Sequence, residues 1–571
     1  MSKTKKGSRV TALVLSLAML STFAIGCDKT DNQAQSSGGT TSQSTSSQDA
    51  SQTESTLNPN INLDSTFPVV KDPVEVEIAV IAALPNTDQN RMWFWKWAEK
   101  KTNVTVEPVQ IESSAWEERK QLMFATDQLP DAFLHCTFTN AELLSFGQIE
   151  GSLIALNDYL DYAPNFKAAL EADPLLKANV TAPDGNIYSV PTVMQVSNTK
   201  PYRFFVNADW LEKAGMDMPK NLDEFYKVLK YFKENDMNGN GDPNDEIPWS
   251  GSWEEGYYER ALIINAMGFS TTNSNSVIDP ETDTAVYFPL HPKYRDYLKY
   301  MNKLWEEGLL DPDIFTQTQV QYQAKAASNL IGAAADSASY IIYPEDYTAF
   351  EPIWALSETE GGTPTWPQDA VSSNGSFVIT KNAKNPDVLM KWVDMFFTAE
   401  GAIRFWNGPE KDSEDDIGSV GAMYNENGQR YHDLPQDINN EWEYNCKVLS
   451  PINGRAVGYY SNDAFWTELG LSIPPAAEND AFWQDLYLER NTPYAKPMYP
   501  NVFYSEDEQR TINEISMPLE DYVKNMEAKF IIGAESIDSG YDKFIQQIKV
   551  LRAEEYQDIL ISAYETYKSN K

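Results

Sequence analysis

The segment Asp236-Met-Asn-Gly-Asn-Gly-Asp-Pro-Asn-Asp-Glu246 places side-chain oxygens at the first, third and fifth positions of a loop whose sixth residue is glycine. Ca²⁺ is a hard cation that takes six to eight oxygens, and this pattern is the first half of an EF-hand-type loop that wraps one. Asp236, Asn238 and Asn240 supply side-chain oxygens in this reading, Asp242 supplies its backbone carbonyl at position 7, and Asp245 or Glu246 closes the shell. Position 12 is Ile247, so the bidentate glutamate of a true EF-hand is absent and the two adjacent acids must take its place. Asn-Gly and Asp-Pro pairs also favour a plain solvated turn. Against that, four carboxylates clustered without a cation repel one another. The expected role of the ion is structural, because nothing nearby suggests that it activates a water.

Other chemistry is thinly provided. No glycine is followed by lysine, which excludes a P-loop, and His135, His291 and His432 are too far apart for a zincin motif. No G-x-S-x-G elbow occurs. A secreted glycosidase needs only two carboxylates about 5–9.5 Å apart, and 84 acidic residues leave that reading open as the weaker rival. The cysteines number three, Cys27, Cys136 and Cys446, so neither a disulfide scaffold nor a zinc cluster is expected. Cys136 and Cys446, far apart in sequence, could be bridged, but they read rather as two buried thiols.

The chain that positions these groups has 571 residues, enough for several domains and a large core. With 45 basic against 84 acidic residues its formal charge is −39, a surface that repels phosphate backbones and makes nucleic acid an improbable partner. Residues 1–27 read as an address. Lys3, Lys5, Lys6 and Arg9 form a basic region, Val10 to Gly26 is uncharged, and Ala24 and Gly26 precede Cys27. This resembles a bacterial lipobox, in which the cysteine is diacylated and becomes the mature N-terminus, although Ala24 stands where leucine is usual. Residues 28–65 are rich in Ser, Thr and Gln and read as a disordered tether. Some 30 such residues reach about 30 Å, enough to hold a folded body off a membrane.

The body alternates strands and helices. Val74, Val76, Ile78 and Val80 keep the period of a strand, a Trp-rich helix follows, and V-T-V-E-P-V-Q-I at 104–111 is the next strand. A helix near 116–126 leads through Q-L-P-D to a short apolar strand at 132–136. Strand and helix in alternation predict a parallel sheet with ligands at the carboxyl ends of its strands, near 84–88 and 135–139. Further helices are expected from Asn221, through 294–305 to a cap at Gly308, and from Asn385-Pro386 through Phe397, with their aromatics in the core.

Six segments in this order carry a family resemblance: Q-L-P-D-A-F at 128–133, D-G-N-I-Y-S-V-P at 184–191, V-N-A-D-W-L-E-K-A-G at 206–215, the loop at 236–246 with D-E-I-P, E-E-G-L-L-D-P-D at 306–313, and K-N-P-D-V-L-M-K-W-V-D at 384–394. From Val74 onward the chain resembles the extracellular solute-binding lipoproteins of carbohydrate ABC transporters, similar to alginate-binding and LplA-type proteins. The resemblance implies an α/β, two-lobed periplasmic-binding-protein-like fold of type 2, each lobe a mixed sheet flanked by helices, closing on a sugar in the cleft. It implies residues 66–195 plus 369–405 for the N-terminal lobe, and 196–368 plus 406–571 for the C-terminal lobe with the calcium loop.

It also implies a monomer lipid-anchored at Cys27 on the extracellular face of a bacterial membrane, of Gram-positive type. Its partners would be an oligosaccharide and the permease subunits of an ABC transporter, and it would not be an enzyme. A surface sensor or adhesin on the same fold is the alternative. By position in the family pattern the ligand contacts are Asn86, Asp88, His135, Thr137, Arg203, Trp249, Trp253 and Tyr340, with Trp366 and Trp466 as stacking surfaces. The loop has one residue more between Asp242 and Asp245 than the alginate-binding relatives lead one to expect, which puts individual ligands in doubt more than the ion.

Overall fold

The computed structural model describes residues 58–82, 88–194, 203–252, 259–336, 338–343, 346–368, 372–438, 440–452, 457–460, 462–473 and 478–569. Asn86, Trp253 and Cys27, with the whole leader and most of the tether, lie outside the described residues.

Nine strands organise the two lobes. In chain order they are β1 (Val74–Ala82), β2 (Val104–Glu112), β3 (Ala132–Leu134) and β4 (Val190–Val193). The second lobe then contributes β5 (Arg203–Asn207), β6 (Ala333–Asp336) and β7 (Phe350–Pro352), and the chain returns for β8 (Ser372–Ile379) and β9 (Gly458–Tyr459). The first sheet has the order β9-β4-β8-β3-β1-β2, with β1 parallel to both β2 and β3 as the alternating pattern predicts, and β8 antiparallel to β3 and β4. The second sheet is β6-β5-β7, antiparallel throughout.

The alternation in β1 does what its period dictates. Val76, Ile78 and Val80 enter one core with Trp93, Trp97, Phe377 and Trp392, while Ala79 faces a second cluster built on Phe124, Phe133 and Phe138. Helices therefore cover both faces of the first sheet. The second lobe has its own core, in which Phe225, Leu229 and Phe232 of helix Leu222–Glu234 meet Tyr294, Tyr297, Leu298 and Met301 of helix Lys293–Glu306. Asn221 caps the first of these, accepting from the Glu224 amide at 3.0 Å. The reciprocal half of the expected capping box is displaced, since the Glu224 carboxylate accepts instead from the Lys220 amide. Gly308, at φ +67°, follows the second helix as expected.

The lobe boundary at 405 differs from the sequence division. Ile438, Tyr444, Leu449, Ile452 and Val457 pack in the first-lobe core and β9 pairs with β4, so these residues go with the first lobe. The second lobe resumes with helix Glu478–Arg490, whose Trp483 and Tyr487 join its core. Apolar spacing marks a buried face but not the sheet that covers it, which is why the sequence division at 405 missed this return to the first lobe.

Candidate functional site

The first-lobe side of the site is the carboxyl end of β3. His135 and Thr137 both turn through positive φ, +54° and +47°, and between them Cys136 is fully buried with its thiol against the carbonyls of Ala79 and Leu134. Burial pushes that thiol well above its usual range. Cys136 and Cys446 are both free, as expected. The left-handed turn is locked to β8: the His135 amide donates to Ser376 O at 2.5 Å and the Phe138 amide to Gly375 O at 3.2 Å. A Cβ at Gly375 would lie 2.0 Å from Phe138 O, so only glycine permits this approach. The turn leaves Thr137 exposed and His135 half-buried. Asp88 is occupied locally, capping the turn Gln89–Arg91 by accepting from the Asn90 amide.

The second-lobe side begins where the chain arrives. Arg203 opens β5 opposite Asp336, the last residue of β6, so a cation and an anion share one end of the small sheet. The Arg203 guanidinium carbon lies 3.9 Å from the centroid of the Trp483 ring, a cation–π contact that helps fix its position. Asp336 accepts from Gln319 Nε2 at 2.9 Å. Behind it Glu259, the first residue of helix Glu259–Ala266, is 2% exposed, and burial, reinforced by the nearby Asp336, raises its carboxyl to about 7. Tyr340, on the short helix Ser339–Ile342, is half-buried against the same lobe core.

The structure therefore brings Arg203 and Tyr340 to one lobe and His135 and Thr137 to the other. Three tryptophans do not join them. Trp249 is 1% exposed with its ring edge-on to Phe225, Trp366 is 1% exposed and donates from Nε1 to the Tyr487 hydroxyl, and Trp466 is buried in helix Asp463–Glu468. A ring enclosed on both faces offers none to a sugar, so these are packing residues. Glu259, Asp336, Gln319 and Trp483 were missed, because none stands in a motif and their meeting is made by tertiary structure alone.

The loop at 236–246 closes on itself. Asp236 accepts from the amides of Gly239 (2.7 Å) and Gly241 (3.0 Å), and Asn238 and Asn240 accept from the amides two residues on. Gly239 and Gly241 have φ +77° and +93°, which the tight winding requires. Asp245 receives both asparagine amides, and Glu246, 2% exposed, accepts from the Met237 amide at 2.6 Å. Its second oxygen is buried with no partner among the described residues. Among those residues no three Asp, Glu, His or Cys side chains form a ready cage. The donor set is instead mixed, carboxylate with amide and carbonyl oxygen, which suits a hard cation, and the orphaned Glu246 oxygen fits one. The Asp242 carboxylate accepts from the amide and side-chain nitrogens of Asn244, which is consistent with its carbonyl being its contribution.

Comparison with known proteins follows the same lines. Residues 84–403 match the family described as bacterial extracellular solute-binding protein. The chain is 27% identical over 533 residues to the fructooligosaccharide ABC transporter substrate-binding protein FusA of Streptococcus pneumoniae, covering 89% of this chain and 93% of that one. It is 23% identical over 386 residues to the polygalacturonan/rhamnogalacturonan-binding protein YtcQ of Bacillus subtilis, 64% of this chain and 70% of that one. Among solved structures, S. pneumoniae FusA in complex with kestose superposes with a TM-score of 0.70 at 23% identity, covering 87% of this chain and 100% of that one. An HMO-binding solute-binding protein of Bifidobacterium longum infantis gives 0.71 at 21% identity, with 87% and 99% covered. These structural likenesses establish the two-lobed α/β fold.

Proposed function

The chain belongs to the bacterial extracellular solute-binding protein family, and on that premise we propose that it captures an oligosaccharide between its two lobes and delivers it to the permease of an ABC importer. The observation that carries the reading is the pairing of lobe ends. The chain leaves the first sheet at Val193 and enters the second at Arg203, beside Asp336 and Trp483, so the polar groups of the second lobe sit where the lobes are joined. A ligand that touches both lobes only when they are closed shifts the population toward closure, and the permease then recognises that form. Neutral hydroxyls suit this site: Arg203 donates, the Asp336 carboxylate accepts, and selectivity comes from leaving neither of them unpaired. FusA and YtcQ, named for fructooligosaccharide and pectic polymers respectively, support a carbohydrate over other solutes.

The finer points of the proposal are a lipid anchor at Cys27, an extracellular position on a Gram-positive-type membrane, a monomeric and non-catalytic body, and a calcium ion held by Asp236, Asn238, Asn240, Asp245, Glu246 and the Asp242 carbonyl. A solved FusA structure is described as an EF-hand mutant, which supports a cation loop in such proteins. When bound, calcium would neutralise the clustered acids and stiffen the loop after helix Leu222–Glu234. The test is a thermal-shift screen of residues 58–571 against neutral and acidic oligosaccharides, with calcium or with chelator. A ligand at 100 times its Kd adds about 2.7 kcal/mol. A shift with one sugar and no reducing ends released is the expected result; no shift with any sugar, or hydrolysis of the one that binds, would overturn importer function. A midpoint indifferent to chelation would remove the ion.

A further inference from the structure

From helix Glu478–Arg490 onward the chain packs with the second lobe, yet one stretch of it reaches the first. That stretch is anchored in the second lobe at both ends. Ala495–Pro497 pairs in parallel with Trp366–Gln368, and Ser270 Oγ donates to Lys496 O at 2.7 Å. The Tyr499 hydroxyl donates to Leu560 O at 3.1 Å, and Ser505 caps the 26-residue helix Glu506–Ile531 in a full capping box. Between these anchors Asn501 O accepts from Asn140 Nδ2 at 3.3 Å, and the half-buried Phe503 ring packs on the first-lobe cluster of Phe133, Phe138 and Phe146.

The contact falls on the face of the first lobe that carries the site. Asn140 is 6% exposed and opens the short helix Asn140–Leu143, which Thr139 caps directly after the His135–Thr137 turn. Its Oδ1 accepts from Asn374 Nδ2 at 2.9 Å, beside Gly375, whose carbonyl takes the Phe138 amide. One buried side-chain amide thus ties the turn, β8 and the second lobe together. Two cavities border the contact and keep it narrow. One, of about 620 Å³, lies between residues 174–185 and the last helix, Ala553–Ser569; the other, of about 400 Å³, lies between residues 141–149 and the first turns of helix Glu506–Ile531. A joint resting on a ring and a side-chain hydrogen bond can part without any break in the chain, and small interfaces between compact units leave them free to move.

We propose that residues 498–505 are a strap that draws the two lobes together before any solute arrives, acting through Phe503 and Asn140. A strap of this kind raises the share of molecules already in the binding-competent arrangement, and apparent affinity rises in proportion. The proposal rests on the capture by closure argued above and adds that the protein sets part of that closure itself.

The test compares the intact body, residues 58–571, with Phe503→Ala, Phe503→Leu and Asn140→Asp. Small-angle scattering without ligand reads the spread of the lobes, and titration calorimetry with kestose, maltotriose and trigalacturonate reads capture. Without ligand, Phe503→Ala should have a larger radius of gyration than the parent, and Phe503→Leu, which still fills the contact, should return toward the parent value. Asn140→Asp loses the donor to Asn501 O while still accepting from Asn374, and should widen the protein in the same sense, a second reading should Phe503→Ala not fold. With the sugar that binds, the radii should coincide, and affinity should fall roughly 3- to 10-fold in Phe503→Ala. An unchanged ligand-free radius in Phe503→Ala and Asn140→Asp would overturn the strap. So would a larger radius that persists in the sugar complex, which is loosening of the body, or a gain in affinity, which would mean that the contact holds the lobes apart. If none of the three sugars binds, it is capture of these sugars that fails, while the ligand-free scattering still decides the strap.

Discussion

Replacing Glu259 by glutamine should flatten the dependence of stability on pH between about 4.5 and 7. Glu259 is buried with its carboxyl against Gly251, where an added Cβ would fall 1.7 Å from Oε1, so the group has no room to reach water by a rotamer change. It accepts from the Ser252 amide, but burial dominates, Asp336 on β6 adds like charge, and the result is a carboxyl raised from 4.5 to about 7. The facing helix contributes Tyr322, a neutral hydroxyl bonded to Ala335 O, and the guanidinium of Arg260 is engaged by Glu527, so among the described residues no cation pairs with Glu259. The sign follows. Between 4.5 and 7 the folded protein keeps a proton that the unfolded chain has released, so stability is full below the unfolded value and falls as pH rises, until the folded carboxyl also ionises.

At 1.36 kcal/mol per pH unit the window is worth roughly 3 kcal/mol, lost by about pH 7 and constant above it. Glutamine keeps the shape and the neutral state. Urea unfolding at pH 5, 6, 7 and 8 is the assay, and the advantage of Glu259→Gln over the parent should grow by about 2 kcal/mol from pH 5 to 7 and level by about pH 8. Parallel profiles for the two proteins would refute the reasoning, because they would show Glu259 ionised in the fold at no cost.

Three further outcomes are expected. Arg203→Ala should weaken sugar binding by about tenfold with little change in Tm, since the guanidinium on Trp483 is a half-exposed donor rather than a core group; titration calorimetry of the sugar found in the thermal screen reads it. Glu527→Gln should cost about 3–5 kcal/mol in urea unfolding, because it strips the charge partner from a fully buried Arg260 and weakens bonds from Tyr294 and Tyr297. Gly375→Ala should lower stability by at least about 2 kcal/mol, judged by thermal unfolding, as it places a Cβ against Phe138 O at φ +69°.

What the sequence disclosed, and what it withheld, follows the range of each interaction. β1 and β2 were legible almost to the residue because their period of two is enforced by burial of the sheet they build. The loop at 236–246 was legible because its hydrogen bonds run between residues two to nine apart, so that spacing alone encodes them. The same locality explains its departure from an EF-hand: Glu246 turns back to cap Met237 and Asn238, a closure that a glutamate at position 12 would otherwise make from outside.

The polar cluster of the second lobe is of the other kind. Arg203, Asp336, Glu259 and Trp483 come from four elements spread over 280 residues, and nothing in the neighbourhood of any one announces the others. Tryptophan misled for a related reason. Trp249 and Trp483 differ in partner, an aromatic edge for one and a guanidinium for the other, while both are buried. A large ring is therefore evidence of burial first, and only the polar group it holds in place turns it into part of a site. By that criterion the informative feature on the second lobe is the arginine that Trp483 holds in place, and variants of the pair should be coupled: with Trp483 already replaced by leucine, loss of Arg203 should cost binding much less than it does in the parent.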